Sequence, residues 1–369
     1  MQWLPRLSPR TRRAIFVGLV IPMAACVMVE IAMAVLVPQP VAVPREDVGG
    51  TVHLRRNITF TVSSDEFSNT VVTNSQGFYD REHATPKPPG TKRVLVLGDS
   101  MVEAVQVPLA QNLCSRLEGH LGAGFEVINM GIAGAGQAHE YLVLQDQGAR
   151  SGPDVVVLCF YASNDIYNNS PLLEEKRNKP FFVERDGRLE LLGGGMTPTL
   201  VPFVDSPLWP LSHLYRFVVR HVMRVVEANR VYDVDHGVAR PQLVFMASPP
   251  PVWQQAWSIT EALLRAIDAQ TRAMNARLLV ALLPCKTQVL QREASALPSG
   301  TDWDVDAPHR RLSRFCQQQG IPCIDLVAPF REAVRGGAKP FFLHDEHFTA
   351  DGHALAARLL AEKARELAR

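Results

Sequence analysis

The stretch at residues 94–107, VLVLGDSMVEAVQV, does most to limit what this chain can fold into. Val94, Leu95, Val96 and Leu97 form an unbroken run of apolar, β-favouring residues, which predicts a strand covered on both faces, as in a parallel sheet. Gly98-Asp99-Ser100 ends the run and a helical pattern follows, so Ser100 falls at the carboxyl end of the strand. Open α/β sheets keep their ligand sites at that edge, because the loops there can vary while the sheet holds them still. A nucleophile fits that position. The same letters also suit a turn in which Asp99 or Ser100 caps the next helix, so other parts of the chain must decide.

The alternation of strand and helix recurs down the chain. Residues 125–129 predict a second strand, followed at once by Gly131, Gly134 and Gly136, where the backbone must come close to something. Their spacing is not the GxGxxG of a dinucleotide site. A helix is predicted near 139–147, then a strand at 155–160 that ends in Tyr161-Ala162-Ser163-Asn164-Asp165. Regularity lapses over about 170–251, read as an insertion with a turn at Asp186-Gly187, glycines at 193–195 and an arginine-bearing helix near 215–226. It returns with a helix at 259–276, a strand at 278–283, a helix at 308–319, a strand at 321–326 and a closing amphipathic helix from Thr349 or Asp351. The pattern predicts an α/β domain over 90–369, a doubly wound parallel sheet with helices on both faces.

Before it, Arg6, Arg10, Arg12 and Arg13 precede an apolar segment at 14–37. As a helix that segment is roughly 36 Å long, enough to cross a bilayer with some tilt. The arginines keep the amino terminus cytoplasmic and send the rest of the chain across the membrane. Residues 1–37 are thus read as cytoplasmic tail and transmembrane anchor, and 38–89 as a linker and N-terminal extension. Glu30, inside the span, is expected near the outer interface, neutral or reaching for water. Formal net charge is +1 and no basic stripe carries interleaved aromatics, which argues against nucleic acid as a partner. The six cysteines have neither CxxC nor Cys/His spacing, so no zinc site is expected. Cys316 and Cys323 are the two that could pair in an oxidising compartment.

Acyl transfer by a serine needs a base in hydrogen-bond reach, a group that orients the base, and donors aimed at the developing oxyanion. Ser100 supplies the nucleophile and His347 the base. Asp345, two residues earlier on the same loop, can hold the imidazole. The oxyanion donors would be the N–H groups of Ser100 and Gly134 and the side-chain amide of Asn164, each at the end of a successive strand. His344, Asp345, Glu346 and His347 lack the HExxH spacing of a metal site. His353 is assigned to helix packing, and Asp99 and Glu103 to fixing the turn.

This order of blocks resembles the SGNH (GDSL-type) hydrolase family, whose signature residues match Ser100 in LGDSM, Gly134 in NMGIAGAG, Asn164 in YASND and His347 in HDEHF. The likeness runs over about 92–367 and is most similar to the membrane-anchored bacterial branch, in which a TNSQGFYD-like segment (here 73–80) precedes the central strand. It implies a flavodoxin-like sheet, a Ser100-His347-Asp345 triad, no cofactor and no metal. Met101 replaces the Leu usual after the serine. The acid lies two residues before the histidine rather than three, where His344 stands, and this DxH pair resembles polysaccharide O-acetyltransferases of the superfamily. The resemblance therefore implies a bacterial inner-membrane, periplasm-facing serine esterase acting on O-acyl, chiefly acetyl, esters of an envelope glycan or lipid. An O-acyltransferase with the same triad is the alternative. A non-catalytic glycan-binding protein on the same fold is a further one, against which intact Ser100, Asn164 and His347 argue.

Overall fold

A computed structural model describes residues 8–37, 43–48, 51–174, 179–185, 187–192, 206, 208–219, 221–222, 232–233, 237–299 and 302–369. The chain forms two compact units, Met1–Ala42 with Leu200–Asn229, and Val43–Thr199 with Arg230–Arg369. The stretch read as an insertion is thus divided between them. Asp186 and residues 193–195 and 223–226 lie outside the described residues.

The larger unit is built on five parallel strands. Across the sheet they run Cys323–Asp325, Arg277–Leu283, Val155–Tyr161, Lys92–Gly98 and Phe125–Gly131. In chain order this is 2-1-3-4-5, the doubly wound order the resemblance implied. Val94, Leu95, Val96 and Leu97 are fully buried, as are all seven residues of Val155–Tyr161, and both runs read as continuous apolar sequence because helices cover both faces. The order reverses between the first and third strands. At that switch point the loops diverge and open a crevice beyond the carboxyl ends, and Ser100 and Asn164 follow those two strands.

Helices fall near the predicted places, with differences that have physical causes. The helix predicted from 259 runs Pro251–Ala273, because Pro251 occupies its first turn, where a missing N–H costs nothing. The last strand is only Cys323–Asp325, since the Ile321 N–H bonds back to the carbonyl of Cys316 at the end of helix Ala307–Gln319, and Leu326 caps the helix Val327–Arg335. The closing helix is Ala350–Leu367, with Thr349 as its cap. Cys316 and Cys323 are free thiols in side-chain hydrogen-bond contact.

Residues after Val43 are folded onto this unit. Two hairpins, Arg45–Val48 with Thr51–Leu54 and Thr59–Ser63 with Ser68–Val72, share a small core of Leu54, Val71, Tyr79 and Val105. The Asn69 amide bonds the carbonyls of Val105 (2.9 Å) and Val107 (2.8 Å), fastening the second hairpin to the chain just past Ser100.

Two glycines face each other at the end of the central strand pair, Gly98 opposite Gly131. A Cβ on Gly131 would lie against the Glu103 amide nitrogen and 2.6 Å from the Val102 carbonyl carbon, so the pair lets the helical turn Ser100–Glu103 rest directly on the strand ends. We expect Gly131→Ala to cost about 1–3 kcal/mol, as overpacking does. Urea unfolding of the purified protein measures it, and an unchanged midpoint would mean that the turn can move aside freely.

Candidate active site

Ser100 opens a one-turn helix, Ser100–Glu103, whose cap is Asp99. Asp99 Oδ1 accepts the Met101 N–H at 2.8 Å, and Oδ2 accepts the Asn164 side-chain amide at 2.9 Å. One buried carboxyl therefore ties the serine turn to the loop after the third strand. Burial pushes the Asp99 carboxyl above its usual range, while the Asn164 amide, the Met101 N–H and the charge of His347 pull the other way. The turn ends at Ala104 in the left-handed region, with φ 53°, a conformation that costs energy for a residue with a side chain and is met most often at functional sites. As the first residue of its turn, Ser100 has an N–H with no acceptor inside the helix.

Gly134 sits in a tight turn closed by the Ala135 N–H on the Ile132 carbonyl, with φ 74°, which only glycine adopts without strain. The neighbouring Ala133 N–H is held by Glu103 Oε2 at 3.0 Å. Glu103 is itself gripped by Arg45 through both guanidinium nitrogens, at 2.8 and 3.1 Å. A chain Arg45–Glu103–Ala133 thus joins the first hairpin to the Gly134 loop. On the far side, Gln137 donates to Asp165 (2.8 Å) and accepts from Asn169 (2.6 Å), tying the helix after Gly134 to the Asn164 loop. Burial raises the Asp165 and Glu140 carboxyls well above their ordinary values, and the next cause is the charge of Glu140 for Asp165 and that of Asp99 for Glu140.

His347 and Asp345 meet on the loop before the closing helix. The imidazole Nδ1 lies 2.5 Å from Asp345 Oδ1, and the same oxygen accepts the His347 N–H at 2.9 Å. Burial works to lower the His347 pKa, but the Asp345 hydrogen bond and charge, together with the charges of Asp99 and Glu103, outweigh it and hold it above its ordinary value. The two latter groups flank Ser100 in sequence. For Asp345 burial works upward, and the His347 bond and charge outweigh it, leaving the carboxyl below its usual range. His353 is fully buried with its ring edge-on to Phe348, and burial pushes its pKa down to about 3. It packs the helix, as predicted.

The base loop is anchored by an aromatic cluster of Phe330, Phe341 and Phe348 and by an antiparallel bridge between Phe341 and Phe348. Two charged groups complete the grip. The Glu66 carboxylate, at the tip of the second hairpin, accepts the N–H groups of Leu343 (2.5 Å), His344 (2.8 Å) and Asp345 (2.8 Å), while Lys286 donates to the Leu343 carbonyl at 3.1 Å. Sequence reading missed Glu66, Arg45 and Lys286, and assigned Glu103 only to the turn. With His347 as the base of an ester hydrolase, a small misplacement of its loop would be costly, and Glu66→Gln should then lower kcat/KM for an acetyl ester roughly ten- to a hundred-fold. Circular dichroism should stay unchanged. A rate within twofold of the parent would show that the loop holds itself.

Among the described residues, no group of three or more His, Cys, Asp or Glu side chains is arranged to hold a metal. The structure thus brings Asp345 to His347, and Asn164 to Asp99 beside Ser100. Gly134 stands in the turn after the neighbouring strand, tethered through Ala133 and Glu103 to the turn that bears Ser100.

A doubly wound sheet with a serine at its switch point and an acid–histidine pair on the terminal loop defines a scaffold for acyl ester hydrolysis or acyl transfer. Residues 248–369, the third of the chain that holds Asp345 and His347, match the family model of the SGNH hydrolase-like domain of the acetyltransferase AlgX. No curated protein matches this chain. Similar solved structures include a lipolytic protein of the G-D-S-L family from Veillonella parvula, 13% identical, covering 74% of this chain and 97% of that one with TM-score 0.40. An acetylxylan esterase from Geobacillus stearothermophilus is 14% identical, covering 76% and 98%, with TM-score 0.41. An aryl esterase from M. smegmatis is 13% identical, covering 75% and 100%, with TM-score 0.37.

Proposed function

We propose that this protein is a membrane-anchored, extracytoplasmic serine esterase that acts on O-acyl, chiefly acetyl, esters of an envelope glycan or lipid. The observation that carries the reading is the Asp345–His347 pair, bonded at 2.5 Å and lying within the electrostatic influence of the turn that bears Ser100. In this reading Ser100 Oγ attacks the ester carbonyl and His347 takes its proton. The Ser100 and Gly134 N–H groups and the free amide hydrogen of Asn164 receive the oxyanion. Collapse of the tetrahedral intermediate leaves the acyl group on Ser100, and His347 protonates the departing alkoxide. Water, activated by the same imidazole, then releases the acid and restores Ser100.

A second reading, transfer of the acyl group to a sugar hydroxyl, is favoured by one observation. The family model matched by 248–369, where Asp345 and His347 lie, is that of an acetyltransferase. Both readings share the acyl-enzyme and differ in what reaches it. The deciding experiment supplies a chromogenic acetyl ester to the purified protein with and without glycan oligomers and weighs the products. Free acetate in excess supports hydrolysis, and acetylated oligomer in excess overturns it in favour of transfer. A fluorophosphonate probe that labels the parent but not Ser100→Ala separates either reading from a non-catalytic binding protein.

The helix Pro9–Leu36 has 28 residues and contains an 18-residue window of mean hydropathy 2.4, long and apolar enough to cross a membrane. In this reading it is the anchor, oriented by the arginines before it, and the larger unit works outside the cytoplasm. A carboxyl-terminal reporter active only outside the cytoplasm should therefore work. One active only inside would refute the orientation and the envelope substrate together.

A further inference from the structure

Glu30 is the only acidic residue in the apolar helix Pro9–Leu36, six residues from its end. Its carboxylate is engaged. It accepts the Ser212 hydroxyl at 2.7 Å, the Leu214 N–H at 3.1 Å and the His213 N–H. Ser212 in turn accepts the Tyr215 N–H at 3.0 Å, the mark of a helix cap. Glu30 therefore closes the open N–H groups of a helix that starts at His213, 183 residues further along the chain. A carboxylate at that depth costs a few kcal/mol when unpaired, and these donors offset that cost. A cleaved leader would take Glu30 away from this cap, so the contact fits a helix that stays with the folded protein.

The capped helix is inverted relative to one that faces water. Its polar Arg216 is buried along with Val219, while Val218 and Val222, and Leu208 and Leu211 on the short helix just before it, are between 50% and 74% exposed. Elsewhere among the described residues, large apolar side chains this exposed occur in number only on the apolar helix itself. The others, Val72, Leu172, Leu191 and Leu343, stand singly. The exposed apolar face thus belongs to the same compact unit as a bilayer-length helix and is joined to it at Glu30, six residues from that helix's end.

We infer that the segment 208–222 is a membrane-surface element that lays its apolar face into the headgroup–acyl boundary beside the anchor, with Glu30 fixing its start. The inference rests on the anchor reading of Pro9–Leu36. The occupant of the face is the lipid bilayer. Glu30 holds the segment in register with the outer end of the anchor, so its depth is set by a side-chain contact and not by lipid affinity alone.

The test uses the full chain in phosphatidylethanolamine–phosphatidylglycerol vesicles, with the exposed Cys26 changed to Ala. An environment-sensitive fluorophore is placed in turn at Val218→Cys, Val222→Cys, Val35→Cys and Lys363→Cys, and lipids bearing a shallow spin-label quencher are added. Labels at 218, 222 and 35 should lose about half of their emission, as for groups buried to headgroup depth, and the label at 363 should lose none. Quenching at 35 without quenching at 218 and 222 would overturn the inference and leave the anchor standing. No quenching at 35 would overturn both. Glu30→Ala should weaken the loss at 218 and spare that at 35, and an unchanged loss at 218 would overturn the role given to Glu30.

Discussion

Ser100→Ala and His347→Ala should each reduce hydrolysis of a chromogenic acetyl ester by roughly 10⁴- to 10⁶-fold, with the double variant no worse than either single one. The non-additivity follows from the chemistry. Without the base the hydroxyl keeps its proton, and without the hydroxyl the base has nothing to activate, so the second loss removes nothing further. Folding should be untouched, since Ser100 caps no other group and His347 stands partly exposed on a loop held by Glu66, Lys286 and the phenylalanine cluster. Residual turnover in each variant reflects the oxyanion donors and substrate binding alone. Steady-state kinetics on the four proteins measure it, and losses that multiply would mean that the two side chains work in separate sites.

The second large effect belongs to Asp345→Asn, expected to cost about 10⁴-fold in kcat, because an amide in place of the carboxylate favours the wrong imidazole tautomer. The same change should move the pH profile. Hydrolysis requires neutral His347, so kcat/KM rises as pH climbs through its pKa. Asp345 holds that pKa above the ordinary histidine value, and removing its charge lets burial dominate. The acid limb of the variant's residual activity therefore shifts to lower pH. Asp351→Asn is the control: Asp351 lies in the first turn of the closing helix, where its loss should cost about 0.3–1 kcal/mol of stability and no rate. A larger rate effect at Asp351 than at Asp345 would reassign the orienting carboxylate.

Much of this was legible in the sequence because buried parallel strands leave an unmistakable trace. The run 94–97 and the run 155–160 are apolar throughout, since both faces are covered, and the polar letters that end them mark the loops at the sheet's working edge. Ser100, Asn164 and the pair Asp345 and His347 could be singled out on that basis. What escaped was long-range. Nothing local distinguishes Glu66, in a polar hairpin turn, from any solvated acid, and its partners lie 277 to 279 residues away. Arg45 and Lys286 were hidden in the same way, since a charge that serves another segment's backbone carries no periodicity of its own. The early start of helix Pro251–Ala273 was lost because a run of prolines reads first as a breaker, although proline suits a helix's first turn.

The Glu66 contact also carries a consequence for how the protein is made. A chain made amino end first presents its hairpins long before the residues they must hold. The loop bearing His347 arrives almost last, and the entropy of closing so distant a contact grows only slowly, about 0.6 kcal/mol per doubling of the intervening length. The catalytic pair thus takes its place only when the two extremities of the larger unit meet. In the esterase reading, a chain that ends before residue 343 would display the serine turn but remain chemically idle, so reactive serine chemistry would be withheld until synthesis is complete.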